Sequence, residues 1–150
     1  MTALIQYLTG DATRPVGDGN KIVAHVCNDA GKWGKEFTRE ISNRWWQPEA
    51  EYRKWALRHS LKLGTVQLVP IRKGILVANL IARHDSVTPI RCDALLECLK
   101  WLGLEAHQRQ ASIHLPRFGG GQWGQIESLL RDTLPGVRIL VYDPPEAVRS

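Results

Sequence analysis

The sequence is short of the features that mark several protein classes. None of its apolar runs approaches the roughly 20 residues that a membrane-spanning helix needs, so no membrane partner is expected. No internal repeat, low-complexity segment or linker interrupts it, which excludes solenoids and strings of domains. Cysteine is scarce: Cys27, Cys92 and Cys98 include no CxxC pair. An odd count without such pairing excludes a disulfide framework and a cysteine zinc site, and it fits a reducing compartment. The opening Met1-Thr2-Ala3-Leu4-Ile5-Gln6 has no basic patch leading into a hydrophobic stretch, so a signal peptide is not expected and a cytoplasmic location is. Nor is there a dense basic cluster, although the net charge is +5 and the pI near 9.4.

What is present describes one ordinary domain. With 150 residues, 43% hydrophobic and 23% charged, the chain can bury a real core, and residues 1–150 are expected to form a single α/β unit. The basic residues, among them Arg39, Arg53, Lys62 and Lys73, are scattered as on a solvated surface. Net charge alone allows a nucleic acid or a phosphorylated small molecule as partner, and without a cluster the nucleic acid is the weaker choice.

The elements follow in order. Leu4–Leu8 reads as a strand ending at Thr9-Gly10-Asp11, where Asp11 caps a turn or meets a ligand. Ile22–Cys27 is nearly continuous apolar, as a strand buried on both faces requires, and His25 within it reads as a core histidine. Asn28 and Asp29 follow, where open α/β sheets gather ligands. A helix over Lys35–Trp45 and another from Gln47-Pro48-Glu49, carrying Tyr52, Trp55 and Ala56 inward, come next. Trp45, Trp46 and Trp55 are expected to form a packing layer between them rather than a base-stacking platform. Thr65–Ile71 and Gly74–Ile81 form a hairpin, and Ile90–Leu102 a helix with Cys98 turned to the core. Neither Cys92 nor Cys98 is placed to be a nucleophile. Ala111–Leu115 and Val137–Tyr142 are strands around a helix over Gln125–Leu134, and the tail to Ser150 is expected to fray.

Two turns stand out. Arg117-Phe118-Gly119-Gly120-Gly121-Gln122-Trp123 joins a strand to a helix. Its adjacent glycines permit positive φ and leave backbone N–H groups uncovered, while the helix start adds a positive dipole end suited to phosphate. Asn28–Gly34, with Gly31, Trp33 and Gly34, repeats the arrangement after an earlier strand.

The order of Thr9-Gly10-Asp11, His25-Val26-Cys27-Asn28-Asp29 with Gly31-Lys32-Trp33-Gly34, and Pro116-Arg117-Phe118-Gly119-Gly120-Gly121 resembles the macrodomain family of ADP-ribose-binding modules. The nearest resemblance is to the branch that includes the human terminal ADP-ribose protein glycohydrolase and its bacterial relatives, and it extends from Ile5 to Tyr142. It implies a three-layer α/β/α domain with a mixed central sheet and an ADP-ribose cleft at the strand ends. Asp11 would accept from the adenine amino group, with Ala12 offering backbone beside it. The Asn28–Gly34 loop would wrap the distal ribose and pyrophosphate. Arg117 and Phe118–Gly121, with Gln122 and Trp123 following, would hold the phosphates, and Tyr142 and Asp143 would lie near the adenine. No metal or cofactor is implied.

The chain departs from that branch where its chemistry lies. The family lysine that attacks the distal ribose is matched by Arg83, or by His84 if the alignment shifts by one. The acid after the second glycine loop is matched by Gln122-Trp123-Gly124. Arginine stays protonated and cannot form the ribosyl adduct. The expected chemistry is therefore water attack on ADP-ribosyl linkages to acidic side chains of modified proteins, with Asn28, Asp29 and Arg83 as the catalytic set. A non-catalytic ADP-ribose reader and a hydrolase of a small ADP-ribose derivative are the alternatives.

Overall fold

The computed structural model describes residues 2–145; the expected frayed tail lies, from residue 146 onward, outside them. Six strands form one sheet: β1 Leu4–Thr9, β2 Asn20–Asn28, β3 Val66–Arg72, β4 Ile75–Arg83, β5 Ala111–Pro116 and β6 Arg138–Asp143. Their order is β1-β6-β5-β2-β4-β3. All neighbours are parallel except β3 and β4, which form the expected antiparallel hairpin, so the sheet is mixed. Gly74, at φ +85°, closes the tight turn of that hairpin. Pro70 lies in β3, whose outer edge is unpaired and makes no demand on the missing N–H.

Alternation along the central strands builds two cores. Ile22 and Ala24 of β2 with Ala78 and Leu80 of β4 pack beneath α3 (Cys92–Arg109) and α4 (Trp123–Thr133), against Leu95, Leu99, Ile126 and Leu130. Val23 and Val77 face the other way, onto Ile41 of α1 (Phe37–Arg44), and Cys27 and Ile81 meet Tyr52 of α2 (Gln47–Leu57). Helices therefore cover both faces, and β2 and β4 are apolar nearly throughout for that reason.

Local chemistry moved several boundaries. α1 starts at Phe37 instead of Lys35. α3 passes Leu102 and runs to Arg109, because Gly103 sits where a Cβ would come within 2.9 Å of Leu134 Cδ2; close packing offsets glycine's poor helix propensity. Cys98 is fully buried, as expected, and burial pushes its thiol up to about 12. The tryptophan layer is only partly there: Trp45 packs on the α1-side core, whereas Trp46 is 74% exposed at the start of α2. Among the described residues no helix is long and apolar enough to cross a membrane.

The chain leaves β2 to continue through α1 and α2 on one face, and leaves β5 to continue through α4 on the other. The carboxyl ends of β2 and β5 thus flank a topological switch point, where a crevice opens between diverging connections.

Candidate functional site

A cleft of about 490 Å³ occupies that switch point. Its walls are Lys35, Glu36, Phe37 and Thr38 from the approach to α1; Arg83, Val87, Pro89 and Ile90 after β4; and Phe118, Gly119, Gly120, Gly121 and Gln122 after β5. His25 and Val26 form its floor. A hollow of about 380 Å³ at the opposite end of the sheet, beside Asp18 and Arg138, has no glycine turn running into a helix start.

The glycine turn is shaped by its own sequence. Gly119 adopts φ +82°, and a Cβ there would lie 2.5 Å from Ile126 Cδ1 and 3.2 Å from Ile90 Cδ1. A Cβ at Gly120, whose φ is +54°, or at Gly121 would meet nothing within 4 Å, so this side of the turn is open. A short 3₁₀ turn, Gly120–Gln122, then runs directly into α4 at Trp123, two residues before the expected start. Gln122 clamps Ile90 with both ends of its amide: Oε1 accepts from Ile90 N at 3.0 Å and Nε2 donates to Ile90 O at 2.9 Å. Ile90 also bridges to Arg83, so the loops after β4 and β5 are fastened together.

Charge in the cleft is mainly positive. Arg83 donates from Nε to Thr88 O at 3.0 Å, which steadies the guanidinium at the cleft wall. Neither Arg83 nor Lys35 has an ion-pair partner among the described residues, and Glu36 is the one carboxylate among the lining residues. Beneath them His25 is 1% exposed, with Nε2 2.5 Å from Asn79 Oδ1 and Nδ1 2.8 Å from Thr38 Oγ1. Burial, only partly offset by the Asn79 bond, lowers it to about 4, so it is a neutral, hydrogen-bonded core histidine as the sequence suggested.

Several expected site residues are engaged elsewhere. Asn28 is buried; Nδ2 donates to Lys32 O at 2.7 Å, Oδ1 accepts from Ala30 N at 3.0 Å, and the Tyr52 hydroxyl lies 2.9 Å from Oδ1. Asp29 accepts from Asp85 N at 2.9 Å and meets His84 Nδ1 at 3.0 Å. Desolvation raises its carboxyl, but the Asp85 and His84 bonds outweigh that and hold it below the usual range, while the same contact raises His84. Both residues shape the loop instead of lining the cleft. Gly31, at φ +78°, brings that loop against Ala56; Trp33 stacks edge-on with His25 and Tyr52; and Gly34 packs near Thr38.

On the β6 side the expected ligand groups also serve the fold. Arg117 forms a two-pronged pair with Asp143 at 2.8 and 3.2 Å and lies 4.5 Å over the Tyr7 ring. Trp123 donates to the Tyr7 hydroxyl and stacks edge-on with Phe118, and that hydroxyl also bonds Glu127. Tyr142 is 2% exposed, its hydroxyl bonded to Val16 N and His114, so it supports the loop above it and offers no ring face to a ligand. Ala12, equally buried, packs with Tyr142, Leu140 and Phe37. Asp11 caps the turn through Thr13 N and Oγ1 at 2.9 and 2.7 Å. Its charge, after burial, also raises Glu40 on α1, which puts the Asp11 loop at the Phe37 end of the cleft.

Of the residues picked from sequence, Arg83 and Phe118–Gln122 line the cleft. Missed were Lys35, Glu36, Phe37 and Thr38, hidden by a helix expected to start at Lys35, and Val87, Pro89 and Ile90, which carry no chemical signature. Among the described residues no three His, Cys, Asp or Glu side chains gather at metal-binding spacing.

No family model matches the chain. It is 33% identical over 163 residues to mouse chromodomain-helicase-DNA-binding protein 1-like, a match covering 95% of this chain and 18% of that protein, so the chain spans less than a fifth of this relative. The fold alone is shared with Thermosipho africanus DarTG in complex with ADP-ribose, at 12% identity and a TM-score of 0.75, over 96% of this chain and 42% of that one. The macrodomain protein of Streptomyces coelicolor is 43% identical with a TM-score of 0.85, covering 93% of this chain and 98% of that one. Identity at that level over nearly the whole of a solved macrodomain, on the same α/β/α framework, establishes that this chain belongs to the macrodomain family.

Proposed function

We propose that the cleft binds ADP-ribose and that the protein hydrolyses ADP-ribosyl esters on acidic side chains of modified proteins. The observation that carries this reading is the open face of Gly120 and Gly121, running into the start of α4 and facing a cleft whose cations, Lys35 and Arg83, have no ion-pair partner among the described residues. Backbone N–H groups at a glycine turn and a helix start suit a pyrophosphate without a metal. The Asp11 loop at the Phe37 end suits the adenine, whose amino group is a donor for a carboxylate.

The distal ribose then falls on the Arg83 side. Arginine forms no covalent adduct, but a protonated guanidinium beside the anomeric carbon favours departure of a carboxylate, because charge builds on the leaving oxygen in the transition state. Asn28 and Asp29 are assigned to holding the loop, since their polar atoms are occupied within the protein.

The test pairs calorimetry with free ADP-ribose and label release from a glutamate-linked mono-ADP-ribosylated protein. Binding with release is expected. Binding without release would leave a reader module, and release only from a small ADP-ribose ester would shift the substrate class. No binding of ADP-ribose would end the reading altogether.

A further inference from the structure

We propose that Glu36 is the general base that activates water in this cleft. The inference rests on the reading that the cleft holds an ADP-ribosyl ester. Three observations meet at this residue. It lines the cleft and is the one carboxylate among the lining residues. Its backbone sits at φ +53°, ψ −124°, a region that L side chains avoid and glycine enters freely. Finally, Glu36 precedes α1 at the N-cap position yet makes no side-chain cap bond.

The combination separates a structural role from a chemical one. A side chain held in a strained backbone to build a turn would cap α1 or pair with Lys35 or Arg83, and this one does neither. Glycine would build the same turn without strain. What glutamate adds at this position is a carboxylate in a cleft otherwise lined by cations, an amide, the Thr38 hydroxyl, the His25 ring and apolar groups.

In the reaction, the water oxygen bonds to the anomeric carbon of the distal ribose as the bond from that carbon to the ester oxygen breaks. The electron pair of the broken bond leaves with the carboxylate of the modified side chain, opposite Arg83. The water proton passes to Glu36 and then to solvent. The products are ADP-ribose and the free acidic side chain, and no oxidant or reductant is involved.

The experiment compares the wild-type protein with Glu36→Gln and Glu36→Gly, each assayed for ADP-ribose affinity, thermal midpoint, and release of label from the glutamate-linked substrate. Both variants are expected to bind ADP-ribose within about threefold of wild type and to release label at least about a hundredfold more slowly, the scale of a lost general base. Glu36→Gly is expected to melt no lower than wild type, because it relieves the positive φ. Release within about threefold of wild type by either variant overturns the assignment and leaves the hydrolase reading standing. Failure of the wild type to release label overturns both.

Discussion

Gly119 carries two constraints at once, and each excludes a side chain. Its φ of +82° is unfavourable for an L residue, and a Cβ would come within 2.5 Å of Ile126 Cδ1, which is fully buried and cannot swing into solvent. Gly120 and Gly121 have free space around them and serve the cleft instead of the core. Gly119→Ala is therefore expected to cost about 1–3 kcal/mol of stability, the range for overpacking a closed site, and to weaken ADP-ribose. Gly121→Ala is expected to leave stability within about 0.5 kcal/mol, the range for surface changes, while still weakening the ligand. Urea unfolding and calorimetry on the two variants would check the contrast, and equal loss of stability at both positions would contradict it. The glycines were readable from the sequence because their conformational demand is local. The duties of Asn28 and Asp29 were not, since they depend on Tyr52, His84 and Asp85, which only the folded chain brings near.

Elements explain which features were readable in advance. Strands and amphipathic helices announced themselves because periodic burial on two faces writes itself into β2, β4 and α3. The loop after β4 did not, because its walls Val87, Pro89 and Ile90 are ordinary apolar residues fixed by a distant amide. That amide is Gln122, which opens the stretch Gln122-Trp123-Gly124 where the family resemblance implies an acid. Ile90 offers both a donor and an acceptor, and only an amide or a protonated carboxyl answers both. Gln122→Glu at neutral pH keeps an acceptor for Ile90 N but sets negative charge against Ile90 O. Leaving that carbonyl unpaired costs on the order of 1–3 kcal/mol. ADP-ribose affinity is expected to fall about tenfold at pH 7.5, the equivalent of about 1.4 kcal/mol, as the two loops separate. The introduced carboxyl is raised by the facing carbonyl, so affinity is expected to recover towards pH 5, where protonation restores the donor. Gln122→Met would lose affinity without recovering it. A Gln122→Glu variant with wild-type affinity at both pH values would show that the clamp does not set the cleft.

At the scale of the whole molecule, two buried histidines tie stability to pH. His25 donates from Nε2 to Asn79 Oδ1, whose amide nitrogen is already donated to Pro48 O and Gln67 Oε1 at 3.1 Å, leaving Nδ1 to accept from Thr38. His114 lies in a second chain of hydrogen bonds. The Tyr142 hydroxyl accepts from Val16 N and donates to Nδ1 at 2.7 Å, and Nε2 donates to Ser112 Oγ at 2.7 Å. Each ring is thus built into the fold neutral, donating from Nε2 and accepting at Nδ1, and a second proton would have to displace the hydroxyl hydrogen now donated to Nδ1. Burial lowers His25 to about 4; burial, with Lys21 and Arg138 nearby, does the same to His114, each from an unfolded value of 6.5. The unfolded chain therefore takes up protons first as pH falls. Their contribution is fully present above about 6.5 and drains away between there and about 4, at up to about 1.4 kcal/mol per pH unit for each ring. His84 works in the opposite direction, since its contact with Asp29 favours the protonated ring, but it is exposed and screened. Urea midpoints are thus expected to be level from pH 8 to 7 and to fall steeply by pH 4.5. His25→Gln and His114→Gln should each flatten that fall by one ring's share, whatever their stability at neutral pH. A midpoint unchanged between pH 7 and 4.5 would mean that the rings are not held neutral, and that Thr38 Oγ1 and the Tyr142 hydroxyl accept from their Nδ1 atoms instead of donating to them.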